Sequence, residues 1–344
     1  MDDVGFGLIG AGAIASFHAQ AVAASTGGRL IGVASRRRAT AEAFARQHDI
    51  GFATDDVNEL LEQPGLSAVC ITTPSALHLE PALQAIRAGK HLMIEKPLEA
   101  TVEGTDQILR EAERAGVRVG SIFQARFGGA ARALKAAVDS GRFGRMVLAS
   151  CYVKWNRSAE YYSGWKGKLS EDGGGALINQ AIHGVDLLQW FAGMPVEVFA
   201  WTTRRVHRIE SEDTCVAALK FGSGAFGTIE ASTALWPGFS RRIELCGELG
   251  SVVMEDDDIA RWEFKIPQPE DAQLRATRES GSMGSGAAAP MAIKSEGHLR
   301  QIQDFIDGIR ERRPFFVEGH EARKAVALVR AVYESAASGK PVLL

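Results

Sequence analysis

Val4-Gly-Phe-Gly-Leu-Ile9 runs directly into Gly10-Ala-Gly12-Ala-Ile-Ala15, and the chain continues as an Ala-rich stretch to Ala24. An apolar run, a G-x-G-x-x-A turn and a helix together read as the first β-α unit of a doubly wound parallel sheet. Gly10 permits the tight turn, Gly12 lets the backbone approach a pyrophosphate, and Ala15 keeps helix and strand close. Ala13 and Ile14 open the helix, whose free N–H groups and dipole favour an anion. The expected ligand is a dinucleotide.

The pattern then alternates, as an α/β fold requires. A second strand, Leu30 to Ala34, ends in Ser35-Arg36-Arg37-Arg38. An acidic residue there would bind the ribose 2′-OH of NAD. This chain offers Ser35 and guanidinium groups, Arg36 first, which suit a 2′-phosphate, so NADP is expected ahead of NAD. A helix from Thr40 to Gln47 follows. The strand Leu66 to Ile71 ends at Thr73-Pro74-Ser75, a natural helix start that places His78 in the first turn. Thr73, Pro74 and His78 are expected at the ribose or nicotinamide end of the cofactor. A helix to Ala88, capped by Gly89, leads into Gly89-Lys-His-Leu-Met-Ile-Glu-Lys-Pro-Leu98. Here a short buried strand ends in Glu95-Lys96-Pro97. Strand C-termini are where open α/β sheets hold ligands, and proline keeps the preceding lysine extended. A solvated Glu-Lys pair is the plainer alternative. A helix near Thr105 to Ala115 and a strand from Val117 to Ile122 complete the series.

The G-x-G-x-x-A turn, Thr73-Pro74 with His78, and Glu95-Lys96-Pro97 together resemble the Gfo/Idh/MocA family of oxidoreductases. The resemblance extends over most of the chain. It implies a Rossmann domain joined to a second domain with a large, mainly antiparallel sheet. It also implies hydride transfer between a nicotinamide and a hydroxyl carbon of a sugar, cyclitol or sugar derivative. We divide the chain into a dinucleotide-binding domain, residues 1–122, and an α+β substrate and oligomerisation domain, residues 123–344.

The second domain opens with Gln124-Ala-Arg126-Phe127, similar to the family's crossover segment. Arg126 is expected to touch substrate or cofactor, or else to form an interdomain ion pair. After a helix from Ala130 to Ser140 and a strand from Val147 to Trp155 comes an aromatic loop with Trp155, Tyr161, Tyr162, Trp165 and Lys166. Such rings can wall a sugar site or form a satellite apolar cluster. Trp155 and Trp165 are the expected substrate contacts.

Gly173-Gly174-Gly175 opens a helix to Phe191. At about 100° per residue, Asn179, His183, Asp186 and Trp190 fall within roughly 60° on one face, while Ile178, Ile182 and Val185 form another. Buried polar side chains on such a helix need partners or a cavity. The helix resembles the family's catalytic helix, in which an Asp and a His four residues later work with the lysine of Glu-Lys-Pro. By position, His183 matches that histidine and Lys96 that lysine, and both are expected to be catalytic. Asn179 stands where many members have Asp. It cannot take a proton but can hydrogen-bond a substrate hydroxyl. That departure resembles a subset acting on nucleotide-linked sugars. A dinucleotide-binding regulator without turnover is the rival from another class.

From Val196 the chain turns to strands, with hairpin turns at Gly222-Ser-Gly224 and Gly247-Glu-Leu-Gly250. In the family the sheet's free face commonly forms a dimer interface, so a homodimer or homotetramer is expected. Ser280 to Ala289 reads as a flexible loop, and two helices, about His298 to Arg310 and Gly319 to Ser338, close the chain. Composition narrows the class: 344 residues, 46% hydrophobic, 24% charged and net charge −3 describe an ordinary globular protein. There is no basic stripe for nucleic acid and no membrane-length apolar run, and a signal peptide is not expected. The four cysteines lack a C-x-x-C pattern and the eight histidines lack H-x-x-x-H. Free thiols in a reducing cytoplasm and no metal are therefore expected.

Overall fold

The computed structural model describes residues 3–276 and 296–344. The expected loop Ser280 to Ala289 lies outside them. The chain forms two compact units: Met1–Gln124 with Ser295–Arg323, and Ala125–Lys294 with Lys324–Leu344.

The first unit holds six strands: β1 Val4–Ile9, β2 Gly28–Ala34, β3 Phe52–Thr54, β4 Leu66–Ile71, β5 His91–Ile94 and β6 Val119–Ser121. All are parallel, in the order β3-β2-β1-β4-β5-β6. Every residue of β1 is buried, as in a sheet covered on both faces. Register aligns the carboxyl ends: Ile9 pairs with Ala34 and Ile71, and Ile71 with Ile94. The strand order reverses between β1 and β4, so the crevice at a switch point opens beside the Gly10 turn. The three-residue β3 has too few positions to show alternation in sequence.

The helix Glu296–Glu311 belongs to this unit, which corrects the division after residue 122. Its Ile302, Phe305 and Ile306 join the core with Phe6, Ala19 and Val22. Phe305 meets Phe6 at 5.9 Å between ring centroids. A late helix thus covers a face that the first 122 residues leave open, because that face is apolar and its own connections do not reach it.

The second unit contains β7 Met146–Lys154, β8 Pro195–Thr203, β9 Thr214–Phe221, β10 Phe226–Ser232, β11 Arg242–Gly247, β12 Gly250–Glu255, β13 Asp258–Phe264 and β14 Val342–Leu343. They form one sheet, β13-β12-β11-β7-β10-β9-β8-β14, antiparallel except for β10 with β7. The α/β class with a mainly antiparallel second sheet is as expected. β13 escaped sequence reading because Glu255-Asp-Asp-Asp258 reads as loop. The helix Ile182–Ala192 packs on β7 and β11. Off the sheet's other face stand exposed Trp201 and Phe226, and register sets Trp201 beside Val216 and Phe226 beside Leu148.

Candidate active site

In the first unit the fingerprint forms the expected turn. Gly10 has φ +107° and lies so close to Thr72 that a Cβ would sit 2.8 Å from its backbone. Gly12 is different: a Cβ there would meet nothing within 4 Å. It caps the helix Ala13–Ala24 without any side-chain bond, and Gly12 and Ala13 are exposed. The first helical N–H groups therefore face open space, which fits a pyrophosphate. Ile14 is half-buried in the same turn. Arg36 and Arg37 are exposed just past β2, Ser35 is half-buried, and Arg38 pairs with Glu42 and Asp55 at 3.3 and 3.8 Å.

The Thr73 loop is a 3-10 turn, Ser75–Leu77, and His78 is the N-cap of the helix Leu79–Arg87. Thr73 Oγ1 donates to Leu77 O at 2.9 Å. His78 is fully buried, with Nδ1 2.9 Å from Pro97 O and Nε2 3.1 Å from Thr73 O. It ties the Thr73-Pro74 loop to the Glu95-Lys96-Pro97 element. A ring with both nitrogens at carbonyls of two loops acts as a strut.

Lys96 follows β5 at the sheet's carboxyl edge and is partly exposed. Glu95 beneath it is buried. Its Oε1 accepts from His18 Nε2 at 2.8 Å and its Oε2 from the Lys96 backbone N–H at 3.1 Å. Burial opposes both charges. Contacts with Cys70 and Glu95 nonetheless raise His18 to about 10, and the His18 bond brings Glu95 down to about 2. With His298 they are, among the described residues, a set of three ligand-type side chains whose donor atoms lie within 4.8 Å of one another.

In the second unit the glycine-led helix begins differently from the uniform 100° expectation. Ala176–Ala181 is a π-helical turn and Ile182–Ala192 is α-helical. Asn179 lies in the wide turn, so its angular offset from His183 is not that of a regular helix. Glu212 and Tyr333 pin this start. Glu212 O accepts from Ala176 N at 3.0 Å, its Oε1 accepts from Leu177 N at 2.8 Å, and Tyr333 OH donates to that same oxygen at 2.9 Å. A Cβ on Gly175 would stand 1.8 Å from Glu212 O, so only glycine fits there.

Asn179 Nδ2 donates to Asp172, whose other oxygen accepts from Gly167 N at 2.7 Å. Gln180 Nε2 donates to Asn179 Oδ1 at 2.9 Å and to Tyr161 OH at 2.8 Å, and its Oε1 accepts from Arg157 at 2.7 and 3.1 Å. Arg157 lies over the rings of Trp155 and Tyr161 at 4.9 and 5.4 Å, and Lys166 over Tyr161 at 3.8 Å. Burial lowers the Arg157 guanidinium, raises Tyr161, and raises Tyr162 to about 12. Both tyrosines therefore keep their protons at neutral pH. Lys166 Nζ also lies 5.8 Å from the centre of the Trp165 ring, so Asn179, Trp155 and Trp165 share one aromatic and polar cluster. His183, half-buried, lies one helical turn on. Arg126 does not join it. At 1% exposure it grips Asp186 at 2.6 and 2.8 Å, so the ion pair expected as the alternative forms, inside this unit rather than between domains.

Residues 4–123 match the GFO/IDH/MocA oxidoreductase family model, described as an NAD-binding Rossmann fold, and residues 131–253 match the GFO/IDH/MocA C-terminal domain. The chain belongs to the Gfo/Idh/MocA oxidoreductases. It is 32% identical to 1,5-anhydro-D-fructose reductase of Ensifer adhaerens over 64% of this chain and 66% of that one. It is 25% identical to myo-inositol 2-dehydrogenase of Thermotoga maritima over 98% of both. The crystal structure of the WlbA dehydrogenase from Bordetella pertussis, in complex with NADH and UDP-GlcNAcA, superposes with a TM-score of 0.89 at 30% identity and 99% coverage of both chains.

In this Gfo/Idh/MocA chain the residues that sequence reasoning missed are His18, His298, Arg157, Asp172, Gln180, Glu212 and Tyr333. His18 left one usable signal. It falls on the inward face of the fingerprint helix, between Ala15 and Ala19, where a polar ring needs a buried partner. His298, Glu212 and Tyr333 come from distant parts of the chain, while Arg157, Asp172 and Gln180 lie close in sequence to Trp155 and Asn179. No described helix is long and apolar enough to cross a membrane.

Proposed function

We propose that this oxidoreductase moves a hydride between a nicotinamide and a secondary alcohol carbon of a sugar, cyclitol or sugar derivative. What supports the reading most is the position of Lys96. It sits at the carboxyl end of β5, on the sheet edge that also carries the open Gly12 turn. Gly10, Gly12, Ala13 and Ile14 would hold the pyrophosphate, and Thr73 and Pro74 the ribose end. The cofactor, when bound, supplies the hydride acceptor or donor. Lys96 holds the reacting oxygen and favours its anionic form. His183 takes or returns the hydroxyl proton, a task suited to imidazole near neutral pH. Asn179, oriented by Asp172, hydrogen-bonds a neighbouring hydroxyl. Trp155 and Trp165 wall the sugar.

Ser35, Arg36 and Arg37 favour NADP, since no carboxylate stands among Ser35 to Arg38 to repel a 2′-phosphate. A second reading, a nucleotide-linked sugar acid, draws on the WlbA relative bound to UDP-GlcNAcA. It also draws on Arg157 and Lys166, two basic side chains set over the rings of the aromatic cluster.

One panel tests both readings. NAD and NADP are paired with free sugars, cyclitols and nucleotide sugars, nicotinamide absorbance is followed, and Lys96→Met is the blank. Turnover with one substrate group is expected, with NADP bound about tenfold more tightly than NAD. Tighter NAD binding would remove the NADP preference, and turnover equal to the blank throughout would remove the substrate class. The open sheet face bearing Trp201 and Phe226 supports a homo-oligomer, and the free thiols suit a reducing cytoplasm. A single-chain mass by light scattering, unchanged in Trp201→Glu, would exclude the oligomer.

A further inference from the structure

We propose that His18 and Glu95 form a buried ion pair whose role is to position Lys96, tying the fingerprint helix to the strand end that carries the lysine. The inference rests on the reading that Lys96 acts on the substrate oxygen.

The geometry is compact. His18 is 0% and Glu95 5% exposed, and they meet at 2.8 Å. The second carboxylate oxygen takes the Lys96 N–H at 3.1 Å. On the other side of the lysine, Pro97 O is held by His78 Nδ1 at 2.9 Å. Buried side chains therefore fix the backbone both before and after Lys96, and the side chain starts from a set origin. Packing does not demand this arrangement. An apolar pair of similar volume fills such space without the cost of burying two charges. The pair spans two functional elements, the helix whose N-terminus suits a pyrophosphate and the loop of the lysine. A shift of either is felt at the other.

The titratable groups facing the pair are Cys70 from β4, Lys96 itself, and His298 from the helix Glu296–Glu311. His298 stands edge-on to His18 at 5.8 Å and stacks against Phe17 at 5.6 Å. Burial lowers it to about 4, so it is neutral and adds no third charge. The order is then cation, anion, cation along His18, Glu95 and Lys96, with a neutral ring beside them. The same three donors could in principle take a divalent cation. That ion would have to displace the His18 proton and sit beside the Lys96 charge, so electrostatics favours the ion pair.

A double-mutant cycle on kcat tests the inference in the full chain, using the substrate found in the panel. The variants are His18→Phe, Glu95→Gln, the double, and His18→Gln, which keeps a donor without the charge. We expect each of His18→Phe and Glu95→Gln to lower kcat about 10- to 100-fold, the scale of a small misplacement of a reacting group. Substrate KM and cofactor Kd should stay within about threefold. The double variant should be no slower than the slower single, because the two act as one unit. His18→Gln should recover part of the loss. Multiplying losses, or full kcat in His18→Phe while Lys96→Met is inactive, would overturn the positioning role. Full kcat in Lys96→Met would instead overturn the reading of Lys96. If His18→Phe does not fold, Glu95→Gln and His18→Gln carry the same comparison. A stoichiometric metal in the wild-type chain, lost in His298→Phe, would replace the ion pair with a metal centre.

Discussion

Lys96→Met and His183→Ala are each expected to lower kcat by about 10²- to 10⁴-fold, the range for removing a charge that stabilises an oxyanion or a general acid/base. Cofactor affinity changes little in either. The two losses have different causes, and pH separates them. Met fills the space of the lysine stem but offers no charge to the reacting oxygen, so its loss persists across pH. Without His183 the proton must go to solvent, so the deficit shrinks as hydroxide replaces the missing base. The expected signature in the alcohol-oxidising direction is a kcat profile in which Lys96→Met lies parallel below wild type. His183→Ala rises toward wild type at high pH. Turnover within about twofold of wild type in either variant, with the cofactor bound, would remove that residue from the chemistry. Stopped-flow absorbance of the first turnover makes the measurement direct, because slow product release can otherwise hide a chemical defect.

The first unit was legible because its signals are local. Six residues from Gly10 to Ala15 set the turn and the open helix start. The Glu95-Lys96-Pro97 run marks a strand end through proline's effect on its neighbour. The second unit's hairpins at Gly222 and Gly247 were visible for the same reason. What escaped was long-range. His18 and Glu95 are 77 residues apart, so nothing near either announces the other. The helix Glu296–Glu311 looks amphipathic from sequence, but only packing reveals that its apolar face closes the first unit. The π turn at Ala176–Ala181 has no period of its own in a short segment. It follows from Glu212, which accepts from Ala176 and Leu177 N–H, and Tyr333 OH, which accepts from Ile178 N–H. Arg126 was the opposite case. A lone arginine near a crossover invites a ligand-binding reading, and only its fully buried partner shows where its charge is spent.

Arg126→Ala is expected to destabilise the second unit by about 3–5 kcal/mol, the cost of leaving a buried charge without its partner. Both ends of the pair are shielded, at 1% and 0% side-chain exposure, so water cannot substitute for the lost guanidinium. The bond is bidentate, Nε to Oδ2 and an NH2 nitrogen to Oδ1. The guanidinium also lies 5.1 Å from the Trp190 ring, which adds a cation–π contact. Gln189 Nε2 donates to Asp186 Oδ1 at 3.2 Å, but a neutral donor does not replace the guanidinium charge. A loss of this size is a large part of what holds an ordinary domain folded. Urea unfolding followed by tryptophan fluorescence would read it. The paired replacement Arg126→Met with Asp186→Leu should recover most of the loss, because two apolar side chains leave no orphaned charge. Kinetics then separates structure from recognition. If Arg126 serves only the ion pair, the paired variant keeps the wild-type substrate KM. A KM raised about tenfold or more in that variant, with stability restored, would return Arg126 to the substrate site.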